Sequence, residues 1–131
     1  MEECLNDSYM KTCAQCLIKT EHYITFEFRD KPKFLFMIIK GYIFSSSARK
    51  NRGKVKVERV LSLRASNYHL ISSIHHHGDS TDSGHYTARV FHGDSAYFIN
   101  DSRIQNLDDV NYISDSVYLL IYELGNMWTP F

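Results

Sequence analysis

From Ile24 onward the chain alternates in character: Ile24, Phe26 and Phe28 stand between Thr25, Glu27 and Arg29. A period of two puts the apolar set on one face of a strand. Asp30, Lys31 and Pro32 interrupt it, and residues 34–39 are then apolar without a break. Bounded by Pro32 and Gly41, that run predicts a strand buried on both faces at the centre of a sheet. Tyr42, Ile43 and Phe44 re-enter the sheet after a kink at Gly41. Val55 and Val57, with Leu61, predict a half-exposed strand, followed by a turn through Ala65, Ser66 and Asn67.

Residues 68–74 read as a strand with Tyr68, Leu70 and Ile74 on one side and Ile71 on the other. Residues 75–84 are almost all His, Gly, Asp, Ser and Thr, which predicts a loop without an apolar anchor, facing a ligand or solvent. Residues 86–91 and 96–99 form a hairpin turned at His92-Gly93-Asp94-Ser95. The polar stretch 103–113 has room for a turn of helix, and residues 117–122 make the last core strand. The fold class is therefore mostly β: an antiparallel, aromatic-rich sheet with almost no helical cover. One face of such a sheet lacks a covering layer.

Composition narrows the function. A chain of 131 residues makes one domain on size alone. Its 44% apolar and 14% aromatic content fills a core without help from metal or disulfide. Fifteen Lys and Arg balance fifteen Asp and Glu, which argues against a nucleic-acid partner. Positive charge gathers at Arg49, Lys50, Arg52, Lys54, Lys56 and Arg59, offset by Glu58. Ser45, Ser46, Ser47 and Gly53 surround it, so it reads as a solvated hairpin. The cysteines, Cys4, Cys13 and Cys16, are odd in number and no secretory leader precedes them. That points to a reducing compartment, cytoplasm or nucleus. The 34–39 run is too short to span a membrane.

The chemistry centres on His85. It follows Gly84 and opens a strand, while Asn100 and Asp101 close the next one. A turn midway brings the two ends of that hairpin side by side. There the Nδ1 proton can go to a side-chain oxygen, fixing the tautomer that leaves Nε2 to accept a thiol proton. A surface histidine near an Asn-Asp turn is the competing reading. His75, His76 and His77 cannot all face inward, and as a metal site they lack converging thiol or acidic partners. They read as part of the solvated loop, with His76 able to offer an edge to something passing over it.

Cys13-x-x-Cys16 has the spacing of half a tetrahedral zinc site, with Cys4 and His22 as irregular further ligands. Inert thiols are an equal alternative. A redox role is disfavoured, because no following helix is expected to lower a thiol pKa. Cys4 lacks the surroundings of a nucleophile.

These motifs resemble those of the ubiquitin-specific proteases. Tyr68-His69-Leu70-Ile71-Ser72-Ser73-Ile74-His75-His76-His77-Gly78, with Gly84-His85-Tyr86-Thr87-Ala88, is similar to the family's histidine box. Tyr97-Phe98-Ile99-Asn100-Asp101 resembles the box of the third catalytic residue, and residues 117–123 the closing strand. Residues 32–42 resemble the central palm strand, with Gly41 and Tyr42 where the family has arginine and phenylalanine. Residues 54–63 resemble the short strand after it, and the stretch from Leu63 to Tyr68 is shorter than usual. Cys13-Ala14-Gln15-Cys16 resembles the second cysteine pair of the family's zinc-ribbon fingers.

The resemblance implies a cysteine isopeptidase acting at the ubiquitin C-terminus. His85 is then the general base, Asn100 its orienting partner and Asp101 a polar support near the oxyanion. His76, Gly78, Ser83, Gly84 and Tyr86 flank the channel for the ubiquitin tail. The implied layout is a finger remnant over residues 1–22 and a partial palm over 23–131, with the catalytic region at 68–123. The architecture is that of a papain-like palm without its helical thumb. The family's cysteine box lies in that thumb, upstream of this chain. The expectation is a chain inactive alone, whose partners are ubiquitin or a ubiquitinated protein and a chain supplying the thumb. No cofactor is required, and a structural zinc at Cys13 and Cys16 stays open. The alternative is a non-catalytic ubiquitin-binding or regulatory module; a third reading is a metal-binding module.

Overall fold

A computed structural model describes residues 5–26, 29–44, 48–50, 53–80, 83–108 and 111–125. The expectations placed on Cys4, Glu27, Phe28, Ser45, Ser46, Ser47 and Arg52 lie outside the described residues. The chain forms two compact units, Met1–Lys31 and Pro32–Phe131.

The first unit is a hairpin. Strand β1 (Leu5–Thr12) pairs antiparallel with β2 (Lys19–Phe26), in register from Leu5 opposite Phe26 to Thr12 opposite Lys19. The strand expected from Ile24 thus starts earlier, at Lys19, and takes residues 5–12 as its partner. Backbone pairing needs no apolar pattern on the partner strand, so composition gave no sign of it.

The second unit holds β3 (Phe34–Ile38), β4 (Tyr42–Phe44), β5 (Ala48–Lys50), β6 (Val55–Val57), β7 (Val60–Leu63) and β8 (Ser66–His77). It continues through β9 (His85–His92), β10 (Ser95–Asn100), β11 (Arg103–Leu107), β12 (Tyr112–Ser114) and β13 (Val117–Leu124). Seven of these form one antiparallel sheet in the order β11-β10-β9-β8-β13-β3, with β7 also paired to β8. Small ladders join β4 to β5 and β6 to β12. No helix occurs among the described residues, so the fold class is the antiparallel β architecture expected.

Three elements differ from expectation. The 34–39 run is an edge strand, not a central one: Leu35 is buried, whereas Phe36 and Ile38 are 62% and 67% exposed. Apolar residues on both faces concealed its period of two. The turn of helix expected in 103–113 is instead β11, because the chain reverses through Asp101 (φ 51°) and Ser102 and pairs directly with β10. Aspartate tolerates that left-handed conformation better than most residues. Finally, the turn before β8 falls at Arg64 and Ala65 (φ 47° and 56°), residues that do not announce a positive-φ hairpin turn.

The core lies on one face of the large sheet, where Leu70, Phe91, Leu120 and Tyr122 meet Val57 from β6. The buried Tyr122 hydroxyl donates to the Glu58 carbonyl at 2.9 Å. Burial, then Tyr112 and Glu58, pushes its pKa up to about 12. The unfolded chain loses this proton near its ordinary value of about 10. The folded chain keeps it longer, so this contribution to stability is full below about pH 10 and is lost as pH rises towards 12. Urea unfolding of Tyr122→Phe is expected to show about 1 kcal/mol lower stability at neutral pH and a flatter alkaline decline.

Candidate active site

The site grows from the register of three strands. β8 and β9 pair from Ser72 opposite Val90 to His77 opposite His85, joined by the loop 78–84. β9 turns at Gly93 (φ 56°) into β10, with Ser95 opposite His92 and Ile99 opposite Ala88. That register carries Asn100 back to the start of β9. His85 Nε2 and Asn100 Oδ1 lie 2.7 Å apart. A carbonyl oxygen can only accept, so the imidazole donates from Nε2, which in the neutral ring leaves the lone pair on Nδ1. The two nitrogens exchange the roles expected from the sequence. Nε2, at the tip of the ring, reaches across to the neighbouring strand, while Nδ1 stays beside its own backbone.

Asp101 Oδ2 lies 4.0 Å from the same Nε2, with its side chain 79% exposed. At that range it does not orient the ring by a hydrogen bond. The His85 side chain is itself about half exposed, so the imidazole faces open space rather than a closed cleft.

Around His85 the sequence expectation needs correcting. The histidine run is not a loop: His75, His76 and His77 are the last residues of β8. His75 and His76 are 3% and 5% exposed, so His76 offers no edge to a passing chain. Its ring lies against Tyr86, with centroids 4.7 Å apart, and Tyr86 in turn meets Tyr118 edge-on at 6.1 Å. Gly84 and Gly78 close over it. A Cβ on Gly84 would overlap the imidazole and come within 2.8 Å of the His77 carbonyl oxygen, while one on Gly78 would lie 2.5 Å from the Ser83 carbonyl oxygen. His76 therefore shapes the loop from beneath. Ser83, Gly84 and Tyr86 stand exposed on its outside, and Thr81 and Asp82 lie outside the described residues.

His75 anchors a cluster that the sequence did not reveal. Its Nδ1 is 3.0 Å from Ser116 Oγ, and its Nε2 is 2.9 Å from the Tyr112 hydroxyl and 3.2 Å from Ser73 Oγ. Ser73 Oγ and the Tyr112 hydroxyl are 2.5 Å apart, and the Arg89 guanidinium lies 3.7 Å above the Tyr112 ring. Burial pushes the Tyr112 phenol up, against the Ser73 hydrogen bond and the Arg89 charge. The cause is a register shift: Ile121 pairs with Ser72 and Tyr122 with Leu70, leaving Ile71 unopposed. That irregularity turns Ser73 and His75 onto the buried face with Tyr68 and Leu70, and moves Ile74 off it. Nothing in a polar run of residues signals such a shift.

In the other unit, Cys13 and Cys16 sit at the tip of the β1–β2 hairpin. The turn is closed by Cys13 N–H donating to the Ile18 carbonyl and Leu17 N–H to the Cys13 carbonyl, both at 3.0 Å, with Leu17 at φ 59°. Backbone hydrogen bonds from Cys16 and Gln15, then the Cys16 thiol, lower the Cys13 pKa. Two thiols so placed suit half of a tetrahedral zinc site. Among the described residues no third ligand converges on them, and His22 instead stacks on Tyr9 at 5.6 Å.

An antiparallel β lobe that sets a histidine against an asparagine at one end of its sheet is the palm of a papain-like fold without its helical thumb. The family model described as ubiquitin carboxyl-terminal hydrolase matches residues 3–122, and the chain belongs to that family. It is 30% identical over 125 residues to ubiquitin hydrolase B of Dictyostelium discoideum, covering 88% of this chain and 28% of that protein. Human ubiquitin carboxyl-terminal hydrolase 3 is 27% identical over 133 residues, covering 90% of this chain and 25% of its own length. The chain thus spans roughly a quarter of the length of these two relatives. Among solved structures, the SAGA DUB module of Ubp8, Sgf11, Sus1 and Sgf73 bound to monoubiquitin shares its fold. The TM-score is 0.65 at 18% identity, covering 95% of this chain and 31% of that one.

Proposed function

We propose that this chain carries the base-bearing half of a deubiquitinating thiol hydrolase site and does not hydrolyse isopeptide bonds by itself. The observation that carries the reading is the 2.7 Å contact between His85 Nε2 and Asn100 Oδ1. Asn100 holds the tautomer whose Nδ1 can accept a proton from a thiol. The resulting thiolate attacks the carbonyl carbon at the ubiquitin C-terminus, and the imidazolium returns its proton to the departing amine. Asp101 supports the charged ring through space, and the loop 78–84 flanks the incoming tail with Ser83, Gly84 and Tyr86.

The thiol is the missing part. All three cysteines precede residue 17, and residues 32–131, the unit that holds His85, contain none. A base without a nucleophile, and with no helix among the described residues to supply oxyanion donors, stabilises little of the transition state. In this reading the thiol and its helical lobe come from another polypeptide or from sequence outside this chain. Ubiquitin is the partner by family membership. Cys13 and Cys16 would supply two of the four ligands of a structural zinc, which adds rigidity to the hairpin and no catalytic step.

The test is a ubiquitin molecule bearing a C-terminal electrophile. The chain alone is expected to form no adduct, and an adduct is expected once a cysteine-bearing helical lobe from a relative is added. Labelling of the isolated chain that vanishes when Cys4, Cys13 or Cys16 is replaced would overturn the reading.

A further inference from the structure

We infer that His75 is a positioning residue for His85: its buried imidazole holds the end of β8 where backbone support from β13 stops. This rests on the reading of His85 as the base, in which His75 has no part. In the β8–β9 ladder His75 stands opposite Thr87 and His77 opposite His85. These four side chains therefore lie on one face of the sheet. That face is buried at His75 and Thr87, 3% and 6% exposed, and open at His85.

The β13 ladder begins at Val117, opposite His75, and its next pair is Leu119 with Ile74. Tyr118 is the extra residue of a bulge, and its carbonyl accepts Ile39 N–H from the β3 side instead. His76 and His77 thus run past the β13 ladder towards the loop 78–84. Side chains take over the attachment there. Ser116 grips the strand end twice: its carbonyl accepts His76 N–H at 2.8 Å, and its Oγ lies 3.0 Å from His75 Nδ1. The other end of the ring, Nε2, lies 2.9 Å from the Tyr112 hydroxyl. Burying an imidazole costs free energy unless its polar atoms are bonded, and here both nitrogens have partners. The ring passes this hold towards the base. His77 stacks on it, with centroids 6.3 Å apart and planes 14° from parallel, and His77 Nε2 lies 2.8 Å from Thr87 Oγ1. Thr87 and His77 are the same-face neighbours of His85, along its strand and across from it.

The test uses the full chain with ¹⁵N-labelled histidine at about pH 8.5, above the ordinary histidine range. In the parent chain the Asn100 bond keeps the His85 proton on Nε2, so its two ring-nitrogen resonances stay far apart. His75→Leu removes the hold, and Ser116→Ala removes only the hydroxyl contact, leaving the carbonyl bond to His76. Both are expected to bring the two His85 resonances together, as a ring that is no longer held exchanges tautomers. Tyr122→Phe, which loses a buried hydrogen bond away from this row, should leave them in place. If His75→Leu does not fold, Ser116→Ala decides alone. His85 resonances that stay apart in every folded variant would overturn the inference and spare the reading of His85. Equal convergence in Tyr122→Phe would overturn it too, since general loosening would then suffice. Averaged resonances already in the parent chain would overturn the reading of His85 together with this inference.

Discussion

Replacing Gly84 with alanine is expected to lower folding stability by about 3 kcal/mol, in the range that a forced overlap in a packed site costs. The added methyl meets the His76 ring on one side and the His77 carbonyl oxygen on the other. The carbonyl belongs to the backbone of β8 and cannot swing aside. His76 is held between the loop and Tyr86, with its backbone N–H donating to the Ser116 carbonyl at 2.8 Å. Relief must then come from lifting the loop, which moves Ser83 and His85 together. Gly125→Ala, where nothing lies within 4 Å, is the matched control and should change stability by less than about 0.5 kcal/mol. Combining Gly84→Ala with His76→Ala should recover part of the loss relative to the sum of the single changes, because the ring is half of the clash. Urea unfolding of the parent chain, the three single variants and the double variant measures these differences. If Gly84→Ala matches the control, the two glycines do not hold the loop over His76.

The pairing of His85 with Asn100 was more legible in the sequence than the order of the sheet. His85 and Asn100 were legible because a Gly-rich polar turn, two alternating strands and a tight His92-Gly93-Asp94-Ser95 turn leave one register in which the ends meet. The nitrogen assignment was not legible, since it depends on which end of the ring spans the gap between strands. The edge position of β3 was hidden for a different reason. A strand with apolar residues on both faces looks central, yet here the second face carries no layer among the described residues. The buried histidines were least visible. Burial of polar residues depends on partners far along the chain, Tyr112 and Ser116, and on a register shift at Ile71 that no local pattern encodes.

With a cysteine-bearing helical lobe added in trans, His85→Ala is expected to reduce hydrolysis of a ubiquitin C-terminal fluorogenic substrate by about 1,000-fold or more, because no other group takes the thiol proton. Asn100→Ala should cost less, about 10- to 100-fold, since it frees the ring to rotate and change tautomer without removing the base. Asp101→Ala should cost no more than about fivefold, because a carboxylate 4.0 Å away and 79% exposed is strongly screened. The order matters more than any single value. If Asp101→Ala proves more harmful than Asn100→Ala, the carboxylate is the orienting partner and the 2.7 Å contact is incidental. If all three leave the rate unchanged while the helical lobe alone is active, the base is not His85. Salt separates the two supports further. The Asn100 contact is a short hydrogen bond to an uncharged amide and should persist at 1 M salt, whereas what Asp101 adds should fade there.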